Sequence, residues 1–204
     1  MLCYNVEGWD TRAVEASIYI FTELGELWNT CRLPHYNTFY QKCTNKNGGI
    51  CIAVRKHLKA TRIEVNIPNT VIIDITGLSE PVRIIGIHWR TSHQRDLDEI
   101  QPFIIEGALL SGDFNATVKE CNSPITDRRG ACVREWINEN NLNYITSATN
   151  TYKRSLRNID LSFSNMSTIS SETLCFGTSD HWPILLSREN IVFDTNIFFR
   201  IQIG

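Results

Sequence analysis

Short runs of β-branched and aromatic residues, cut by Asn, Gly and Pro, recur along almost the whole chain. Runs of this kind read as strands. They predict strands at residues 2–6, 17–21, 36–41, 49–54, 62–65, 70–76, 82–88, 108–111, 158–163, 171–175 and 182–186. Asn45-Lys46-Asn47-Gly48-Gly49 predicts a hairpin turn, because Asn and Gly tolerate the positive φ that such a turn needs. Two stretches carry helical spacing instead. Residues 129–140 follow Asp127, a residue type that caps helices, and place Cys132, Val133, Trp136 and Ile137 on one face. Residues 96–106 carry Leu97, Ile100 and Ile104 at helical spacing, with Pro102 expected to kink or shorten the helix.

Many strands with few helices predict an α/β fold of two packed sheets with helices on the outer faces. No repeat, low-complexity tract or linker precedes Ser187, so residues 1–187 are expected to form one domain. Residues 188–204 match no clear element and are expected to be an extra strand or the stub of a truncated extension.

At 204 residues and 42% hydrophobic, the chain can bury one large core. A net charge of −2 argues against a protein that coats DNA passively, since such binding comes from Lys and Arg neutralising phosphates. It leaves room for an enzyme with a local basic rim and a metal ion. The seven cysteines are odd in number and include no C-x-x-C pair, which disfavours both a disulfide framework and a zinc site. The start of the chain turns polar too soon for a signal peptide, and no apolar run reaches membrane-spanning length. An intracellular protein with no membrane partner is expected.

Chemistry concentrates in a few places. In Ser111-Gly112-Asp113-Phe114-Asn115-Ala116 an apolar strand ends in a carboxylate beside an amide. Asp113 could take a proton from an attacking water while Asn115 holds that water or a phosphate oxygen; an ordinary Asp/Asn turn would look the same. Ser179-Asp180-His181-Trp182-Pro183 puts an Asp and a His at the entrance to a buried strand, one suited to a metal and the other to a phosphate. Alternation through Asn158-Ile159-Asp160-Leu161 points Asp160 away from its apolar neighbours, so a buried Asp160 needs a partner. His181 is the natural one, and Asp160 would favour its imidazolium. Glu23 closes the apolar run that starts at Ile18 and is a candidate Mg²⁺ ligand, with the Asn5 amide near the same ion.

Together these motifs resemble the endonuclease/exonuclease/phosphatase superfamily. The ordered set is Tyr4-Asn5-Val6-Glu7-Gly8, Thr22-Glu23, Gly112-Asp113-Phe114-Asn115-Ala116, Ile159-Asp160-Leu161 and Ser179-Asp180-His181. Within it, Leu33-Pro34-His35-Tyr36-Asn37 and Asn47-Gly48-Gly49-Ile50-Cys51-Ile52-Ala53-Val54 resemble the apurinic/apyrimidinic-like endonuclease domain of non-LTR retrotransposons.

That resemblance implies a four-layer α/β sandwich, DNase I-like, with two mixed sheets flanked by helices. It implies a Mg²⁺-dependent endonuclease acting on DNA, with Mn²⁺ as the alternative cofactor. Glu23 would bind the metal with Asn5 and with Glu7 or Asp180 nearby. Asp113 and Asn115 would position and activate water, and His181, paired with Asp160, would stabilise the scissile phosphate. Lys153, Arg154 and Arg157, with Arg128 and Arg129 at a second loop, would meet DNA or else form solvated basic turns. A monomer, intracellular and nuclear, is expected.

The chain departs from the family pattern in three ways. Only 18 positions separate Asn5 from Glu23, leaving room for a helix of a turn or two at residues 9–16. Where family members often carry a tyrosine that reaches phosphate, this chain has His88 in Ile87-His88-Trp89-Arg90, a catalytic candidate that can still donate a hydrogen bond to the phosphate. It also carries no reverse-transcriptase segment, so a free-standing domain or a fragment of an element is expected. The competing readings are a phosphatase or phosphodiesterase of the same fold, and a decayed copy that keeps only weak binding.

Overall fold

The structure, a computed structural model, describes residues 1–5, 16–25, 33–41, 48–92, 96–176, 179–188 and 191. The strands are β1 (Leu2–Asn5), β2 (Ile18–Thr22), β3 (Tyr36–Gln41), β4 (Ile50–Arg55), β5 (Lys59–Ile63), β6 (Thr70–Thr76), β7 (Val82–His88) and β8 (Ala108–Asp113). Helix α1 (Arg128–Glu139) follows, then β9 (Asn143–Tyr144), β10 (Asp160–Ser164), β11 (Ser170–Thr173) and β12 (Ile184–Ser187). They form two six-stranded sheets, ordered β11-β12-β1-β2-β4-β3 and β5-β6-β7-β8-β10-β9. Each sheet is mixed: β1 and β2 are parallel in the first, β7 and β8 in the second.

Strand alternation divides the apolar residues into layers. Ile20, Ile50, Ile52 and Val54 of the first sheet pack on Val71, Ile73, Ile75 and Ile84 of the second, filling the space between them. Packing is close enough there that a methyl on Gly86 would sit 2.9 Å from Ile50 Cδ1. The opposite face of the second sheet, through Ile72, Ile85, Ile87 and Leu110, is covered by Val133, Trp136 and Ile137 of α1. Tyr19, Phe21, Cys51 and Ala53 form a third cluster on the outer face of the first sheet. This is the predicted sandwich of two mixed sheets, strand-rich, with one α-helix among the described residues. No helix among them is long and apolar enough to cross a membrane.

Several expectations shift. Residues 96–106 do not form an α-helix: they turn through i→i+3 bonds (Gln101 N to Asp98 O, Ile104 N to Gln101 O) around a 3-10 turn at Gln101–Phe103. A proline disfavours α geometry in the residue before it, so Pro102 defeats the spacing, although Leu97 and Ile100 still bury their side chains. The strand expected at 62–65 lies at Lys59–Ile63, where pairing with β6 sets the register. Cys132 is exposed, one position off the buried stripe of Gly130, Val133, Trp136 and Ile137. Asp127 caps α1 as expected, accepting from the Gly130 N–H at 2.7 Å. The two-residue β9 is too short to leave a pattern. Residues 9–15 of the expected helix, the hairpin residues 45–47 and nearly all of the tail lie outside the described residues.

Candidate active site

One end of the inter-sheet space gathers the polar residues singled out above. In the second sheet, β7 and β8 pair with His88 opposite Asp113, and β8 and β10 pair with Asp113 opposite Asp160. Asp113 is therefore the middle of three side chains on adjacent strands. Alternation with Leu109, which lies in the inter-sheet core, turns Ser111 and Asp113 towards the first sheet. Beneath them the Ser111 and Ser162 hydroxyls hydrogen-bond at 2.7 Å, so the apolar filling becomes polar just below the carboxylates. Gly112 between them is required: a Cβ there would lie 1.8 Å from the Ile87 carbonyl oxygen.

Asp113 is fully buried. Its Oδ1 accepts the Asn115 backbone N–H at 2.9 Å and its Oδ2 accepts the Asn115 Nδ2 at 2.8 Å. Asn115 takes a left-handed φ of 47°, which Asn tolerates, and so folds back onto the carboxylate. Burial pushes the Asp113 carboxyl well above the usual carboxylate range, with the charges of Asp160 and Glu23 adding to it. The His181 cation and the Asn115 N–H pull the other way.

His181 Nδ1 donates to Asp160 Oδ2 at 2.8 Å, with both side chains buried. Burial disfavours the charged ring, yet the charge and hydrogen bond of Asp160, helped by Asp113 and Asp180, push the imidazole up to about 10. The ring is therefore an imidazolium at neutral pH. Its Nε2 lies 3.8 Å from Asp180 Oδ1. Thr151, which no sequence motif marked out, holds the start of β10: its hydroxyl accepts the N–H groups of Ile159 (3.1 Å) and Asp160 (3.3 Å). Tyr152 stands edge-on to the His181 ring with centroids 5.3 Å apart.

The first sheet supplies Glu23. β1 and β2 are parallel neighbours with Asn5 opposite Thr22, so Glu23 follows directly after that pair despite the short connection. Glu23 has a φ of 56°, a left-handed conformation that costs a non-glycine residue energy, and this turns its carboxylate into the cleft. Its Oε1 lies 3.8 Å from His88 Nε2, which in turn lies 3.9 Å from Asp113 Oδ2. One ligand atom from each of Glu23, His88 and Asp113 falls within 4.8 Å of the others, a grouping able to hold a metal ion. The sequence motifs did not link these three, because they meet only when the sheets dock. Glu7 lies outside the described residues, as does the Asn5 side chain.

The basic residues separate into two kinds. Lys153, Arg154 and Arg157 lie on a turn closed by Tyr152 N to Arg157 O and tied to the His181 segment by Lys153 N to Asp180 O and Trp182 N to Thr151 O. Arg154 and Arg157 are exposed, Arg154 Nε is 3.6 Å from Asp180 Oδ2, and the Lys153 ammonium lies 3.7 Å from the centre of the Trp182 ring. Arg128 is exposed at the start of α1. Arg129 stacks on Trp89 and donates to the carbonyls of Trp89, Arg90 and Thr91, which gives it a structural task beside the site. The far end of the inter-sheet space holds a cavity of about 250 Å³, walled mainly by residues such as Ile18, Leu58, Val82, Leu109 and Leu186, and offers little for phosphate chemistry.

A family model described as endonuclease-reverse transcriptase matches residues 82–185, just over half of the chain, and spans His88, Asp113, Asp160 and His181. Among solved structures, the endonuclease domain of TRAS1, a telomere-specific non-LTR retrotransposon, is similar at a TM-score of 0.76 and 17% identity, covering 91% of this chain and 95% of that one. A beta toxin mutant from Staphylococcus aureus with bound magnesium ions is similar at 0.64 and 12% identity, covering 92% and 98%. Truncated TDP2 from Caenorhabditis elegans is similar at 0.57 and 14%, covering 90% and 94%. At these identities the likeness is one of fold. No curated protein matches the chain by sequence.

Proposed function

The chain belongs to the endonuclease-reverse transcriptase family within the endonuclease/exonuclease/phosphatase superfamily, and we propose that it nicks DNA by cation-assisted hydrolysis of a phosphodiester bond. The observation that carries this reading is the meeting of Glu23 from one sheet with His88, Asp113 and the Asp160–His181 pair at one end of the sandwich. Two carboxylates and an imidazole within 4.8 Å of one another are a donor set that fits a divalent cation. Glu23 would hold it, with Asn5, Glu7 and Asp180 as further oxygen donors. When bound, such an ion offsets charge on the phosphate and the leaving oxygen.

The side chains divide the remaining work. Asp113 accepts the proton of the attacking water, a task favoured by a carboxyl whose proton affinity burial has raised. Asn115 fixes the orientation of that carboxylate through its two N–H donors. The His181 imidazolium, held by Asp160, stabilises the phosphate as negative charge builds on it. Lys153, Arg154, Arg157 and Arg128 grip the DNA backbone on either side. Residues 1–187 form the catalytic unit in this reading and 188–204 an appendage to it; the enzyme works as a monomer on nuclear DNA, as expected of a mobile element's nuclease.

The test is supercoiled plasmid incubated with the protein in Mg²⁺, in Mn²⁺ or in EDTA, beside an Asp113→Ala variant. Relaxed circles that need both a cation and Asp113 are expected. Folded protein that cleaves no DNA with any divalent ion would overturn the reading. Hydrolysis confined to small phosphoesters would replace it with a phosphatase, and tight DNA binding without hydrolysis would mark a decayed copy.

A further inference from the structure

We propose that His88 is itself a ligand of the cation, so that the site prefers a divalent ion that accepts nitrogen, such as Mn²⁺, over Mg²⁺. The functional meaning of this inference rests on the cation-assisted reading above, but the binding chemistry stands apart from it. His88 ends β7, is 1% exposed, and lies on the same strand face as Gly86 and Ile84, so its ring faces the space between the sheets. Its Nε2 is 3.8 Å from Glu23 Oε1 and 3.9 Å from Asp113 Oδ2, beyond the reach of a direct hydrogen bond to either.

Those separations suit donors gathered around one ion. With metal–oxygen bonds of about 2.1 Å, octahedral donors lie about 3 Å apart when adjacent and about 4.2 Å apart when opposite. Both distances from His88 lie below the opposite-donor separation, so small side-chain shifts bring the donors onto one ion, and the fully buried Asp113 carboxylate beside Glu23 concentrates negative charge that a cation relieves. Glu23 and His88, from facing sheets, thus come close enough to share one ion, with Asp113 beside them.

The nitrogen decides the preference. Mg²⁺ is a hard ion that selects oxygen, whereas imidazole suits the first-row transition ions. The His88 nitrogen beside the carboxylates of Glu23 and Asp113 makes this a mixed nitrogen–oxygen site.

Pulsed EPR of the Mn²⁺-loaded chain tests this without reference to activity. The expected result is a ¹⁴N coupling from a directly bound imidazole, which becomes a ¹⁵N coupling when the histidines are ¹⁵N-labelled. It persists in His181→Asn and is lost in His88→Gln and His88→Tyr. His88→Gln also weakens Mn²⁺ binding by about tenfold or more, with a smaller loss for Mg²⁺ in competition. Bound Mn²⁺ without a histidine nitrogen, a coupling that survives both His88 variants or disappears with His181→Asn, or no bound Mn²⁺ at all would overturn the inference. The labelled chain and His181→Asn keep it testable if the His88 variants fail to fold. Cation-dependent nicking with no bound nitrogen would sink the ligand and leave the nuclease; nitrogen-bound Mn²⁺ with no nicking would do the reverse.

Discussion

Asp113 and Asp160 are register partners across the antiparallel β8–β10 ladder, which sets two buried carboxylates opposite each other on adjacent strands. Like charges so placed repel, and here the repulsion adds to the effect of burial on Asp113. Two things temper it: the His181 cation bonded to Asp160, and the two Asn115 donors on Asp113.

The first prediction follows from the sign of that balance. A carboxyl held above its unfolded value gives stability at low pH and withdraws it as pH rises, so an ionised Asp113 costs stability at neutral pH. Asp113→Asn removes the charge and keeps the shape. In EDTA its thermal midpoint should rise by about 2–4 °C, as expected for about 1 kcal/mol in a chain of this size, while nicking measured with the divalent ion present falls by about 100-fold or more. A lowered midpoint would show that the Asn115 bonds depend on the carboxylate.

Asp160→Asn should act oppositely. Removing one partner of a buried ion pair costs about 3 kcal/mol. In a proton-detected NMR titration, His181 should remain charged through neutral pH in the wild type and lose its proton several pH units earlier in the variant. Nicking should fall by about 100-fold to 1,000-fold at neutral pH.

The same pair gives folding a pH dependence. The folded pKa of His181 is raised from an unfolded value of about 6.5 to about 10. Its contribution is therefore complete below the first value and disappears as pH climbs through the second. Urea unfolding between pH 7 and 10 should show stability falling with pH, and Asp160→Asn should flatten that slope. An equal slope in both proteins would place the pH dependence elsewhere.

The two groups of basic residues should part company in a salt titration of DNA binding. Replacing Lys153, Arg154 and Arg157 with Ala should reduce the dependence of log affinity on log salt by about 0.9 for each phosphate no longer neutralised. Arg129→Ala should leave that slope unchanged and instead lower stability by about 1–3 kcal/mol, since the carbonyls of Trp89, Arg90 and Thr91 lose a charged donor.

What could be read from the sequence was whatever local periodicity encodes. Alternation turned Asp160 away from Ile159 and Leu161 and predicted its partner, and the two side chains meet at 2.8 Å. Asp127 announced the start of α1 because a cap acts within its own turn. The arrangement of Glu23, His88 and Asp113 was hidden, since the first belongs to one sheet and the others to its neighbour. The bonds of Arg129 were hidden too, because its carbonyl acceptors lie about forty residues earlier in the chain. The helix at 96–106 failed where spacing and Pro102 disagreed, and the proline's steric demand prevailed.

Because Glu23 and His88 reach the cleft from different sheets, the proposed active centre is complete only while the sheets are docked. Either sheet alone supplies only part of the donor set. Any change that parts the sheets should therefore weaken cation binding along with the proposed cleavage. In the proposed nuclease, cutting is thus conditional on the packing of the whole sandwich.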